Sequence, residues 1–109
     1  MVVKQAYGKS AVWRPDTDGT TQKLLAGSCE LGALKLSASA GSAAVEIYDS
    51  ADAAGAISAN MVWFLDASTT DNDMSVFTTP LAFEKGVFAK LVTGAGFAPY
   101  ICIERVGKR

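Results

Sequence analysis

The chain has 109 residues, enough for one domain and too few for two ordinary ones. Half of them are hydrophobic and 19% are charged, a globular composition that excludes a disordered chain. The net charge of −1 argues against nucleic acid as a partner, and no apolar window approaches the length of a membrane-spanning helix.

Charge is spread unevenly along the chain. Residues 36–83 hold Glu46, Asp49, Asp52, Asp66, Asp71 and Asp73 with no Lys or Arg, while both flanking segments are net basic. Such a pattern can be satisfied within one fold, between copies of the chain, or by solvent. The beginning of the sequence lacks a charged leader followed by an apolar run, so no signal peptide is expected and the protein is expected to be made in a cytoplasm.

In chain order, residues 1–28 are the least regular part. "VVKQAY" (2–7) and "AVWR" (11–14) fit short strands around the turn "YGKS". "RPDTDGTT" is turn chemistry: Pro15 fixes φ, Asp16 and Asp18 can bond nearby backbone, and Gly19 tolerates positive φ. Residues 1–23 are therefore expected to form an N-terminal arm or edge strand, and residues 24–109 the main domain.

From Leu24 onward the pattern is that of strands. "CELGALKLSAS" sets Leu34 and Leu36 on one face with Lys35 opposite, and Gly32 sits where a bulge is tolerated. "AAVEIYD" alternates Val45 and Ile47 inward with Glu46 and Tyr48 outward. "SADAAGAISA" is a small-residue loop with room for a single helical turn. "NMVWFLD", with consecutive apolar residues, fits a strand buried on both faces. "MSVFTT" is a short strand, and "PLAFEKG" leads into "VFAKLVTG", where Val87, Ala89 and Leu91 oppose Phe88, Lys90 and Val92. "GAGFAP" is a turn. "YICIERV" closes the chain with Ile101 and Ile103 on one face and Cys102 and Glu104 on the other, followed by a basic "GKR" tail expected to fray. Short strands joined by Gly/Ser/Thr/Asp turns predict an all-β fold: an antiparallel β-sandwich or jelly-roll-like barrel of about 7–8 strands with an extended N-terminal arm.

Catalytic chemistry is hard to find. The absence of histidine removes Ser–His–Asp and Cys–His arrangements, and no S-x-x-K spacing occurs. Tyr48-Asp49-Ser50 ends a strand and fits turn initiation better than catalysis. "PDTDGT" starts like a calcium loop, but Gly27 stands where the ligating Glu belongs. Asp66, Asp71 and Asp73 with Asn72 fit a solvated turn, with a weak cation site as the alternative. "GAG" at 94–96 lacks phosphate-loop spacing. Cys29 and Cys102 are expected as small apolar residues, a bridge remaining open to geometry. Trp63 belongs to the core. No enzyme activity, cofactor or metal is expected. The candidate interface residues are Trp13 and Arg14 in the arm, with Tyr48 on an outward strand face.

The stretch from Leu25 to Glu104, about 80 residues, resembles a group of small virion β-sandwich proteins of tailed bacteriophages. The resemblance lies in a "V-x-I-Y-D" strand end (Val45, Ile47, Tyr48, Asp49) and a later "F-x-K-G-V" hairpin (Phe83, Lys85, Gly86, Val87, then Leu91, Thr93, Gly94), with Val92 as a departure. It implies a structural virion protein, foremost a capsid decoration or cement protein that stabilises an assembled head. The alternative it implies is a tail, neck or fibre component or a receptor- or glycan-binding module. The implied partners are the chain itself, as a homotrimer, and the major capsid protein or other virion proteins. The implied location is the virion.

Overall fold

A computed structural model describes residues 10–39, 41–68 and 71–107. The proposed strand at 2–7 and the last two residues of the "GKR" tail lie outside the described residues. Eight strands follow one another: β1 (Ser10–Trp13), β2 (Thr21–Ala26), β3 (Cys29–Ser37), β4 (Ser42–Asp49), β5 (Met61–Ser68), β6 (Asp73–Phe83), β7 (Gly86–Thr93) and β8 (Tyr100–Gly107). Short 3-10 turns occupy Ala53–Gly55, Ser58–Asn60 and Ala95–Phe97.

The strands form two antiparallel four-stranded sheets, the first in the order β1-β8-β3-β6 and the second in the order β2-β7-β4-β5. Each strand pairs with its mirror image about the loop near Gly55: β4 with β5, β3 with β6, β2 with β7, β1 with β8. The chain is thus one long antiparallel ribbon folded over itself, with successive ribbon segments laid into alternate sheets. That order is the jelly roll's, and it agrees with the all-β sandwich expected from the sequence.

Alternation explains which face each strand buries. Leu34 and Leu36 of β3, Val45 and Ile47 of β4, Val87, Ala89 and Leu91 of β7, and Ile101 and Ile103 of β8 are fully buried between the sheets. Each fully buried Leu, Ile or Val contributes roughly 1.5–3 kcal/mol relative to exposure. Leu31, Phe83, Leu65 and Cys29 complete this layer. The Cys29 thiol is pushed up in pKa by burial, against a smaller opposing effect of Arg105. Cys102 points to the outside of β8, and both cysteines are free. Gly32 marks a shift of register with both neighbouring strands, as the sequence suggested. A Cβ there would collide with the Val106 side chain.

Several expectations need correction. Residue 23 is no boundary, because β2 runs across it. Of the two alternatives expected for residues 1–23, arm or edge strand, the described part is edge strand: β1 and β2 lie at the edges of the two sheets, and no extended arm occurs among the described residues. The apolar run "MVWFL" is not buried on both faces: β5 is an edge strand, and Met61 and Phe64 are exposed on its outer side. "MSVFTT" and "PLAF" are one strand, β6, in which Phe77–Pro80 bulge out opposite Gly32. An edge position and a bulge both tolerate the missing N–H of Pro80.

Candidate interaction surface

Tyr48, Asp49 and Ser50 are brought together as structural anchors. The Asp49 carboxylate accepts hydrogen bonds from the Glu84 N–H (3.1 Å) and the Lys85 N–H (2.8 Å). It thereby ties the end of β4 to the turn between β6 and β7. The Ser50 N–H donates to the Gly86 carbonyl, and the Ser50 hydroxyl, itself buried, donates to the Asp52 carbonyl at 2.7 Å. Asp52 in turn accepts from the Gly55 N–H. Gly86 has φ +144°, and a Cβ on it would lie 2.8 Å from the Leu25 carbonyl and 3.1 Å from the Ser50 carbonyl. The sequence reading of this stretch as turn chemistry agrees with this geometry.

Tyr48 itself departs from expectation. Register places it on the outer face of the second sheet beside Phe88, yet the two are only 3% and 6% exposed. Its hydroxyl donates to the Glu46 carboxylate. Burial pushes the phenol pKa up to about 12, helped by the hydrogen bond to Glu46 and its charge. A side chain so covered offers no surface to a partner, so Tyr48 is withdrawn as an interface residue.

Trp13 ends β1 in the first sheet and Arg14 follows it, away from Tyr48 in the second sheet. Trp13 pairs with Ile101 and packs, half-buried, against the core; it is a core-edge residue more than an anchor for a partner. Arg14 is exposed, its guanidinium carbon 4.5 Å from the centre of the Tyr100 ring. Trp63 behaves as expected. Its ring meets Phe77 edge-on at 5.0 Å, and its Nε1–H donates to the Ser75 hydroxyl at 3.2 Å, joining β5 to β6.

The acidic loops also serve backbone. Asp18 accepts from the Ala95 N–H at 3.0 Å, and Asp73 accepts from the Asp66 N–H at 2.8 Å. Among the described residues no group of three or more Cys, Asp or Glu side chains is placed to hold a metal ion. Nor is there an enclosed cavity among them. The space between the sheets, where a barrel would hold a ligand, is filled by aliphatic side chains and Phe83.

What the sequence reading missed is the outside of β6. Met74 and Val76 are 62% and 71% exposed, the largest values among the exposed large hydrophobic residues. Alternation is visible in "MSVF", but either Met74/Val76 or the Phe77 side fits an inward face. The deciding signal is the position of Trp63, which draws Ser75 and Phe77 inward.

No protein-family model matches the chain, and no curated protein matches it. Among similar solved structures is dTDP-4-dehydrorhamnose 3,5-epimerase from Bacillus anthracis strain Ames, with TDP and PPi bound. It has a TM-score of 0.41 at 9% identity, with 98% of this chain and 57% of that one covered. Another is CapF with the inhibitor 3-isopropenyl-tropolone, with a TM-score of 0.39 at 9% identity and coverage of 92% and 23%. The chain therefore spans little more than half the length of the first and under a quarter of the second. None of these comparisons points to the expected function, which is withdrawn: the chain is assigned neither as a capsid decoration or cement protein, nor as a tail, neck, fibre, receptor-binding or glycan-binding component.

Proposed function

We propose that the chain is a non-enzymatic, protein-binding sandwich domain whose work is done on its outer faces and edges. The observation that supports this reading is the make-up of the interior. Leu31, Leu34, Leu36, Ile47, Leu91 and Ile103, all fully buried, present no donor, acceptor or nucleophile to a ligand between the sheets. The described carboxylates that form hydrogen bonds hold backbone amides or, at Glu46 and Asp16, a neighbouring hydroxyl. The exposed apolar side chains lie outside, on β1, β5, β6 and β7 and in the loops.

Methyl-resolved NMR against a library of small metabolites, nucleoside diphosphates and sugar nucleotides included, tests the reading. The methyl signals of Leu34, Val45, Ile47, Leu91 and Ile103 are expected to stay in place. A metabolite that shifts them in a saturable manner, by entering the space between the sheets, would overturn it.

A further inference from the structure

An aspartate followed by a small residue is prone to rearrange in water, because the next backbone nitrogen can close a five-membered ring on the side-chain carboxyl carbon. The chain holds one Asp-Gly pair, Asp18–Gly19, one Asp-Ser pair, Asp49–Ser50, and no Asn-Gly pair. In both aspartate pairs the fold takes hold of the two reacting groups separately. The Gly19 N–H donates to the Leu91 carbonyl at 2.7 Å, and the Asp18 carboxylate accepts from the Ala95 N–H at 3.0 Å. The Ser50 N–H donates to the Gly86 carbonyl at 3.1 Å, and the Asp49 carboxylate accepts from the Glu84 and Lys85 amides.

The two locks differ in where they sit. Ser50 is buried, and Asp49 ends β4, a strand paired on both sides. Asp18 and Gly19 are exposed and lead into β2, which among the described residues pairs with β7 alone. That edge is interrupted by a register shift after Lys23 and exposes Gln22 and Lys23. Leu91 lies in β7 and Ala95 in the turn that follows it, so both captors of Asp18–Gly19 stand across the β2–β7 seam. Local opening of this seam releases the two groups together.

We propose that Asp18–Gly19 is a modification site, an aspartate-to-isoaspartate rearrangement that the folded sandwich guards and that opening of the β2 edge permits. The Gly19 nitrogen attacks Cγ of the protonated Asp18 carboxyl. A C–N bond forms, and one carboxyl oxygen leaves as water with the carboxyl proton and the proton of the nitrogen. Water then adds to the main-chain carbonyl carbon of the ring and breaks its bond to nitrogen, so that the chain continues through Cγ. One water leaves and one enters; mass is unchanged, and neither an oxidant nor a reductant is required. The isomer has one more carbon in its main chain and carries its carboxylate on Cα. The spacing that joined Asp18 to Ala95 and Gly19 to Leu91 is then lost, so the product keeps a lasting mark of an edge that has opened.

The test incubates the full chain in mildly acidic buffer, folded and in denaturant, and follows isoaspartate at residue 18 by peptide mapping with mass spectrometry. The unfolded chain is expected to rearrange at Asp18, and the folded chain at least about tenfold more slowly. Leu25→Ala loosens the anchor of β2 in the core and is expected to speed the folded reaction. Leu65→Ala, at the opposite edge of the same sheet, is expected to leave it unchanged. Thermal melts establish that both variants fold, and the comparison of folded with unfolded wild type needs neither. Equal rates in folded and unfolded wild type overturn the proposal, as does an unfolded chain that forms no isoaspartate at residue 18. A folded chain that rearranges at Asp49 before Asp18, or that Leu65→Ala speeds as much as Leu25→Ala, overturns it too, because the opening is then not that of the β2 edge. None of these outcomes touches the filled interior, which methyl NMR tests separately.

Discussion

The inner and outer faces of the second sheet are made by the same strands, one residue apart, and obey different rules. Inward, Val45, Ile47, Ala89, Leu91 and Leu65 are fully buried and purely apolar. Outward, Glu46, Tyr48, Phe88 and Lys90 mix rings, charge and a phenol–carboxylate hydrogen bond. The inner face is held by packing, which any aliphatic of the right volume satisfies in part. The outer face depends on particular atoms, and Tyr48 there is buried with Phe88 and Met61 as its flanking cross-strand neighbours. Position on an outward face is thus a statement about the sheet, not about solvent.

Four changes test the two faces and, beyond them, the turn held by Asp49 and the end of β1, in falling order of effect. Ile47→Ala empties a fully buried site and is expected to cost about 2–5 kcal/mol in denaturant unfolding; a loss below that range would mean that the sheets collapse onto the gap. Alkaline titration comes next. The Tyr48 pKa is raised from 10.0 to about 12 in the folded chain, so the unfolded chain releases this proton first. The stabilisation is fully present below about pH 10 and is lost as pH rises towards 12, at most about 2–3 kcal/mol. Comparing Tyr48→Phe with wild type across this interval isolates it: the variant is expected to lack that part of the slope, and equal slopes would remove the phenol from the account. Asp49→Ala, which frees the Glu84 and Lys85 amides, is expected to cost about 1–3 kcal/mol at neutral pH, with faster amide exchange at those two residues. Arg14→Ala, which loses the contact over the Tyr100 ring, should change stability by about 0.5–1 kcal/mol.

The strands that can be read from sequence are those whose alternation is unbroken. β3, β4, β7 and β8 have Leu, Val and Ile two residues apart, and their buried sets match the expected ones. β2 escapes such reading because the register shift between Lys23 and Leu25 breaks its period. β5 misleads because five apolar residues in a row look alike in a central strand and at an edge; only its pairing with β4 alone decides. Pro80 hides the length of β6, since the bulge that accommodates it depends on Gly32, far away in the chain. At the candidate site, the turn role of Asp49 and Ser50 is legible from residue type. The partners of Asp49, 35 and 36 residues further on, are not. The β6 edge is invisible for a similar reason, because edges exist only once strand order is known.

The mirrored pairing about Gly55 bears on how the chain assembles in time. β4 and β5 are separated by one loop and can meet early, whereas β1 and β8 come from opposite ends of the sequence and must close the widest loop. Ordering is therefore expected to spread outward from the tip like a closing zip, slowly for a domain of this size. Because Ser10 finishes beside Glu104, a permuted gene that joins the end of β8 to the start of β1 by a short linker and opens the 53–57 segment should turn the last contact into a local one and accelerate folding.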